Sequence, residues 1–175
     1  LGTNPISMSV PSENNGIAFQ FDQSTSAIAI GKIRVAAANG EQIPEGWAVD
    51  KNGNPTTDPN EALEGSLLSS GGYKGFGFGL MAEILSSALT GSLSSADAPA
   101  LKTTEGAPHD LGQSYILIDP DFNGENDHFY KQLDKLSNLI SSQPNARLPG
   151  SKKNNSEAVQ IDKDLWNIVS ELSSS

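Results

Sequence analysis

The chain has 175 residues, a formal net charge of -10 and no cysteine. That length carries one domain with its own core and falls short of two. Eleven scattered basic residues against 21 acidic ones offer no patch for neutralising phosphates, which excludes nucleic acid as a partner. Without cysteine there is neither a disulfide framework nor a thiolate metal site, as expected of a cytoplasmic protein. The longest apolar stretch, Phe76 to Leu89, is broken by glycine, serine and Glu83 and is too short to cross a bilayer, so no membrane partner is expected. The sequence opens on "LGTNPISMSV" with no initiator Met and a strand already under way, as in a piece of a longer protein.

Taken in chain order, residues 6–10 (ISMSV) and 17–21 (IAFQF) alternate apolar with polar or small side chains around a turn-rich "PSENNG", which predicts two half-buried strands forming a hairpin. Ala and Ile then recur at helical spacing. This predicts a helix from Gln23 to Asn39, with Asp22 as N-cap and Gly40 as C-cap glycine. Gly31 in its middle costs about 1 kcal/mol against Ala and implies another element packed closely there. Residues 41–65 read as a long loop with one helical turn near its end, since three prolines and several turn dipeptides interrupt any period.

Phe76 to Thr90 is apolar on nearly every face and reads as a buried helix ended by Gly91. Residues 92–112 read as loop, and "SYILID", 114–119, as a strand. Phe129, Leu133, Leu136 and Ile140 set an amphipathic helix over 125–142, and Leu165, Ile168, Val169 and Leu172 line one face of a last short helix. No internal repeat of 20–50 residues is present.

Three features could carry chemistry. In the loop 50–61 (DKNGNPTTDPNE), oxygen-bearing residues occupy places 1, 3, 5, 7, 9 and 12 of a calcium-binding loop. Place 6, which needs glycine, is Pro55, so a turn closed on its own Asn and Asp side chains is the expectation. His109 and His128 lack a helical i, i+4 partner for metal, so no metal site is expected. His128 reads as a surface residue, and His109, in a Gly- and Pro-bounded loop, as either an ordinary surface residue or a contact across an interface.

The third feature is "GGYKGFGFG", 71–79, five glycines and one lysine at the mouth of the apolar helix. It matches neither the P-loop pattern nor the dinucleotide fingerprint. Free N–H groups at a helix start beside Lys74 would attract an anion. Gly75, Gly77 and Gly79 would equally make a strip for close helix packing, and spacing leaves the two readings even.

Together "GTNPISMSVP", "FDQSTSAIAIGKIRVAAANGEQIPEGWAVDKNGNPTTDP", "GGYKGFGFGLMAEILSSALTG", "LGQSYILIDPDF" and "RLPG" resemble, in order and spacing, the blocks of the malate/L-lactate dehydrogenase family, which is distinct from the Rossmann-fold malate and lactate dehydrogenases. The resemblance covers residues 1–151, the C-terminal half of such a protein, and leaves 152–175 as a tail and helix. It implies an α/β fold with a mixed, largely antiparallel sheet flanked by helices, a non-Rossmann nucleotide-binding domain within a homodimer. It implies a small 2-hydroxy or 2-oxo acid, or its imine counterpart, as substrate and NAD or NADP as cofactor.

The resemblance also places the cofactor at Asp22, Gln23 and Ser24, at Lys74 and Gly75, and at Gly150, Ser151 and Lys152. Within the glycine cluster it assigns Lys74 and Gly75 to the cofactor and leaves Gly77 and Gly79 for packing. The family's general acid/base is a histidine of the N-terminal part, so no catalytic residue is expected in this chain, and the chain alone is expected to turn nothing over. Ser151 stands where the family carries an acid, with Lys152 and Lys153 beside it, which leaves NAD and NADP both open. The alternative from the residues themselves is a non-catalytic module binding a ligand or calcium through the 50–61 loop.

Overall fold

The computed structural model describes residues 2–14, 16–99, 108–122, 124, 126–151, 158 and 160–173. The fold is α/β, and each of its two small sheets is an antiparallel pair of strands. The expected hairpin forms from β1 (Ile6–Pro11) and β2 (Ile17–Gln23), with Met8 opposite Phe21 and Val10 opposite Phe19. Alternation puts Phe19 and Phe21 on one face, where their rings meet edge to face at 5.9 Å.

The next helix is shorter than its periodicity predicts. α1 spans Ile30–Asn39, because residues 25–27 are drawn into pairing with a distant segment: the Ala27 amide donates to Leu68 O, the Ser70 amide to Thr25 O, and Ser26 bridges Ser69. Gly31 therefore falls in the first turn, and nothing lies within 4 Å of where its Cβ would be, so no element packs on it. Gly40 ends α1 as expected, left-handed at φ 67° with its amide on Ala36 O and Ala37 O.

Residues 41–65 hold more than a loop. They contain β3 (Ala48–Val49) and α2 (Pro59–Glu64), and β4 (Ser66–Leu67) follows to pair with β3. α2 is the expected helical turn, with Pro59 just inside its start and the Asp58 carboxylate accepting from the Asn60 amide. The core lies here: Ile33 and Ala36 of α1 bury against Ile43, Ala48 and Ala62, with Ile28, Trp47 and Leu67 packed around them.

α3 (Tyr73–Glu83) runs without a break into one π-helical turn, Ile84–Ala88, and Gly91, left-handed at φ 75°, ends the run. The expectation of a buried helix fails. Phe76, Phe78 and Ile84 are half exposed or more, because among the described residues it is the Gly75 and Gly79 side of α3 that packs on the chain, against Ser70 and Thr25. The predicted strand 114–119 is also not formed: the segment carries no regular secondary structure, since no strand among the described residues lies beside it to pair with. α4 (Asn126–Ser141) and α5 (Lys163–Leu172) stand where their periodicity places them, α5 capped by Asp162. Among the described residues no helix is long and apolar enough to cross a membrane.

Candidate cofactor site

β2 continues to Gln23, so Asp22 is a strand residue opposite Ser7 and not a helix cap. Asp22 and Gln23 are exposed, whereas Ser24 is half-buried with its hydroxyl accepting from that of Ser26 at 2.9 Å. Thr25 then locks the strand end in place. Its amide donates to Thr3 O at 2.9 Å, its hydroxyl lies 3.2 Å from Thr3 O and Asn4 O, and its carbonyl accepts from the Ser70 amide.

The segment paired with Thr25 leads directly into the glycine cluster. Gly71 and Gly72 take φ of 71° and 66°, a conformation that glycine adopts without strain, and turn the chain into α3. A Cβ on Gly75 would lie 1.6 Å from Ser70 O, and one on Gly79 would lie 3.0 Å from Thr25 Oγ1. A Cβ on Gly77 would meet nothing within 4 Å. The roles expected within the cluster are thus redistributed. Gly75 and Gly79, four apart on one helix face, seat α3 on Ser70 and Thr25, and Gly77 faces open space.

Lys74 is exposed, and among the described residues it makes no hydrogen bond or ion pair. It stands in the first turn of a helix with no side-chain cap, where backbone N–H groups lack intrahelical acceptors and the dipole favours an anion.

The third expected segment docks on the same strand. Pro149 O accepts from the Gln20 amide at 3.4 Å, and Gly150, at φ 85°, sits so close that a Cβ would lie 3.0 Å from Gln20 O. The Ser151 amide and hydroxyl both donate to Leu148 O, at 3.1 and 2.7 Å. Lys152 lies outside the described residues. β2 and its continuation therefore carry two of the segments directly, Asp22–Ser24 and Gly150–Ser151, and hold Lys74–Gly75 through Thr25 and Ser70. Among the described residues no hydrogen bond joins the Ser151 turn to Lys74.

Sequence reasoning missed the lock behind this arrangement. Asn4, at φ 38°, directs its side-chain amide to Gly79 O at 3.0 Å and to Glu83 Oε2 at 2.9 Å, and Glu83 Oε1 accepts from the Ser95 amide at 2.7 Å. The available signals were the Asn-Pro dipeptide of "GTNP" and a lone carboxylate in an apolar helix. Partial burial raises the Glu83 pKa, but the bonds from Ser95, Asn4 and Ser94 outweigh it and hold the carboxyl below its ordinary value.

A depressed folded-state value means that this contribution to stability is complete above the ordinary carboxylate range. It is lost as pH falls from about 5 through the lowered value. Glu83→Gln is expected to flatten the acid limb of stability against pH, read as urea midpoints across that range. An unchanged acid limb would show that the lock does not couple to folding.

The other candidates are spent locally. Asp50 Oδ1 accepts from the Asn52 and Asn54 amides at 2.8 and 2.9 Å, and Oδ2 from the Asn54 side chain at 3.1 Å, the self-closed turn expected of this loop. Bonds from Asn54, backbone first, lower the Asp50 pKa. Glu61 accepts from the Thr56 hydroxyl at 2.6 Å, and Asp58 caps α2, so the oxygens of Asp50, Thr56, Asp58 and Glu61 are engaged within their own loop. His109 Nε2 lies 3.1 Å from Pro99 O, and His128 is exposed in the first turn of α4.

The family model for malate/L-lactate dehydrogenases matches residues 1–169. Similar proteins include the malate/(S)-sulfolactate dehydrogenase of Methanothermus fervidus, 40% identical over 98% of this chain and 52% of its own length. The delta(1)-pyrroline-2-carboxylate reductase of Ancylobacter novellus is 40% identical over 87% of this chain and 45% of its own. Among solved structures, sulfolactate dehydrogenase from Methanocaldococcus jannaschii superposes with a TM-score of 0.84 at 36% identity, covering 99% of this chain and 52% of that one. The chain spans about half the length of the curated relatives it matches. It belongs to the malate/L-lactate dehydrogenase family.

Proposed function

We propose that this chain is the cofactor-binding portion of an NAD(P)-dependent oxidoreductase that moves a hydride between the nicotinamide and the carbon beside a carboxylate, in a 2-hydroxy acid or its 2-oxo or imine counterpart. The observation that carries the reading is the convergence of Asp22–Ser24, Lys74–Gly75 and Gly150–Ser151 on β2 and the segment continuing it. The donor set suits a dinucleotide: an unpaired ammonium and helix-start N–H groups for the pyrophosphate, and an exposed carboxylate on Asp22 for ribose hydroxyls. The nicotinamide supplies the hydride, and this chain's residues bind and orient it. As the family resemblance implies, proton transfer is assigned to a histidine of the N-terminal part, and neither His109 nor His128 is given that role.

Fluorescence titration of the longer protein with NADH and NADPH tests the reading and separates the two cofactors; binding of neither would end it. Lys74→Met removes one charge-assisted contact to phosphate and is expected to weaken cofactor affinity roughly tenfold or more. Because Lys74 is exposed and its side chain has no ion pair or hydrogen bond among the described residues, the thermal midpoint should stay put. Normal affinity in that variant would return the glycine cluster to packing alone.

A further inference from the structure

Asn4 is bound to the elements that carry two of the three cofactor segments, and its backbone is held outside the range it prefers. A φ of 38° is uncommon for any residue but glycine, and Pro5 after it favours extended backbone at position 4. Such a conformation persists only where the surroundings over-determine it.

The contacts that hold it run in two directions. Toward β2, the Thr25 hydroxyl lies 3.2 Å from Asn4 O and the Thr25 amide donates to Thr3 O, which fixes the end of the strand bearing Asp22–Ser24. Toward α3, Asn4 Nδ2 donates to Gly79 O and to Glu83 Oε2. A carbonyl and a carboxylate both accept, so the side-chain amide uses both of its hydrogens there. Among the described residues no other hydrogen bond joins residues 2–25 to α3.

At about 1.5 Å per residue, Gly79 and Glu83 lie roughly 7.5 and 13.5 Å along the axis of α3 from Lys74. The seat of Gly75 on Ser70 is beside Lys74 and by itself acts as a pivot. Thr25 against Gly79 and the two bonds from Asn4 hold the helix farther along, and so decide where its start is aimed.

We infer that Asn4 is a positioning residue for the cofactor: acting through α3, its side-chain amide sets the place of the Lys74 ammonium and the helix-start N–H groups relative to Asp22–Ser24. The inference rests on the cofactor reading of the site.

The test titrates the longer protein and its variants with NADH or NADPH, whichever the parent binds more tightly, at a temperature where circular dichroism shows them folded. Asn4→Gly takes up φ 38° without strain and deletes the bridge to α3. Asn4→Asp keeps the shape but turns the donor facing Gly79 O and Glu83 into an acceptor. Each should raise Kd about tenfold, whereas Ile33→Val, which loosens the core beneath α1, should leave Kd within about twofold. Lost stability alone would not produce that difference.

A double-mutant cycle checks the route through Lys74. Once Lys74→Met has weakened binding, adding Asn4→Gly should weaken it by less than about threefold more, because the group being aimed is gone. Losses that multiply to about a hundredfold would overturn the proposal, as would parental affinity in either Asn4 variant or failure of both to fold. A parent that binds neither nucleotide, or a Lys74→Met variant that binds like the parent, would bring down the cofactor reading and this inference with it. Expected behaviour of those two proteins beside normal binding in the Asn4 variants would overturn the inference alone.

Discussion

Gly75→Ala is expected to destabilise the protein by roughly 3–5 kcal/mol, more than any other glycine-to-alanine change in α3. The new methyl carbon would lie 1.6 Å from Ser70 O and 2.7 Å from the Ser70 carbonyl carbon. No rotamer relieves that clash, since a Cβ has no torsion of its own and both neighbours are backbone. Either α3 retreats or residues 68–70 leave Thr25 and Ala27. Gly77→Ala supplies the control within the same helix, because its Cβ meets nothing within 4 Å. There the higher helix propensity of alanine should leave stability unchanged or raised by up to about 1 kcal/mol. Urea midpoints of the two variants decide the matter, and a Gly75→Ala cost no greater than that of Gly77→Ala would mean that α3 is not seated on Ser70. Lys74→Met, one residue away, should separate binding from folding where Gly75→Ala damages both.

Ile33→Ala is expected to cost about 2–5 kcal/mol, a large share of the 5–15 kcal/mol that holds a typical domain together. Ile33 is the one large side chain among the described residues that is fully enclosed. Its neighbours in the core include Ala36, Ala48 and Ala62, whose short side chains cannot swing in to fill the space left behind. Ile33→Val should cost only about 0.5–1.5 kcal/mol. Val35→Ala, two residues on at an exposed position, should stay within about 0.5 kcal/mol. Thermal or urea unfolding that ranks the three otherwise would relocate the core.

Local signals in the sequence read well wherever the structure is local. The β1–β2 hairpin follows from alternation around a polar turn, α2 from Asp58 and Pro59, α4 and α5 from their apolar spacing, and the ends of α1 and of the run formed by α3 and its π turn from Gly40 and Gly91. Each of these is decided by residues within a few positions of one another. Errors fall where a distant segment competes. Residues 24–29 have helical spacing, yet the backbone of 25–27 finds partners at Leu68–Ser70, and long-range pairing overrides a propensity worth only tenths of a kcal/mol per residue. The apolar character of α3 and of 114–119 predicts burial, which needs a partner surface that the described residues do not provide.

The candidate site divides along the same line. Its residue types, Asp22, Lys74, Gly75, Gly150 and Ser151, are readable from motifs, and so is the family. That they converge on β2 and its continuation is not readable. The convergence depends on Ser70 meeting Thr25, on Gly150 meeting Gln20, and on Asn4 reaching across to Gly79 and Glu83.

By itself the sequence determined the hairpin, several helices and their ends, the family and the residue types proposed for a cofactor, because caps, turns and periodicity act over one or two turns of chain. Only the tertiary structure decided which glycine packs and which stays open, that Asp22 belongs to a strand, and that Asn4 and Glu83 lock the site. Those outcomes depend on contacts between residues up to 79 positions apart, which no local pattern encodes.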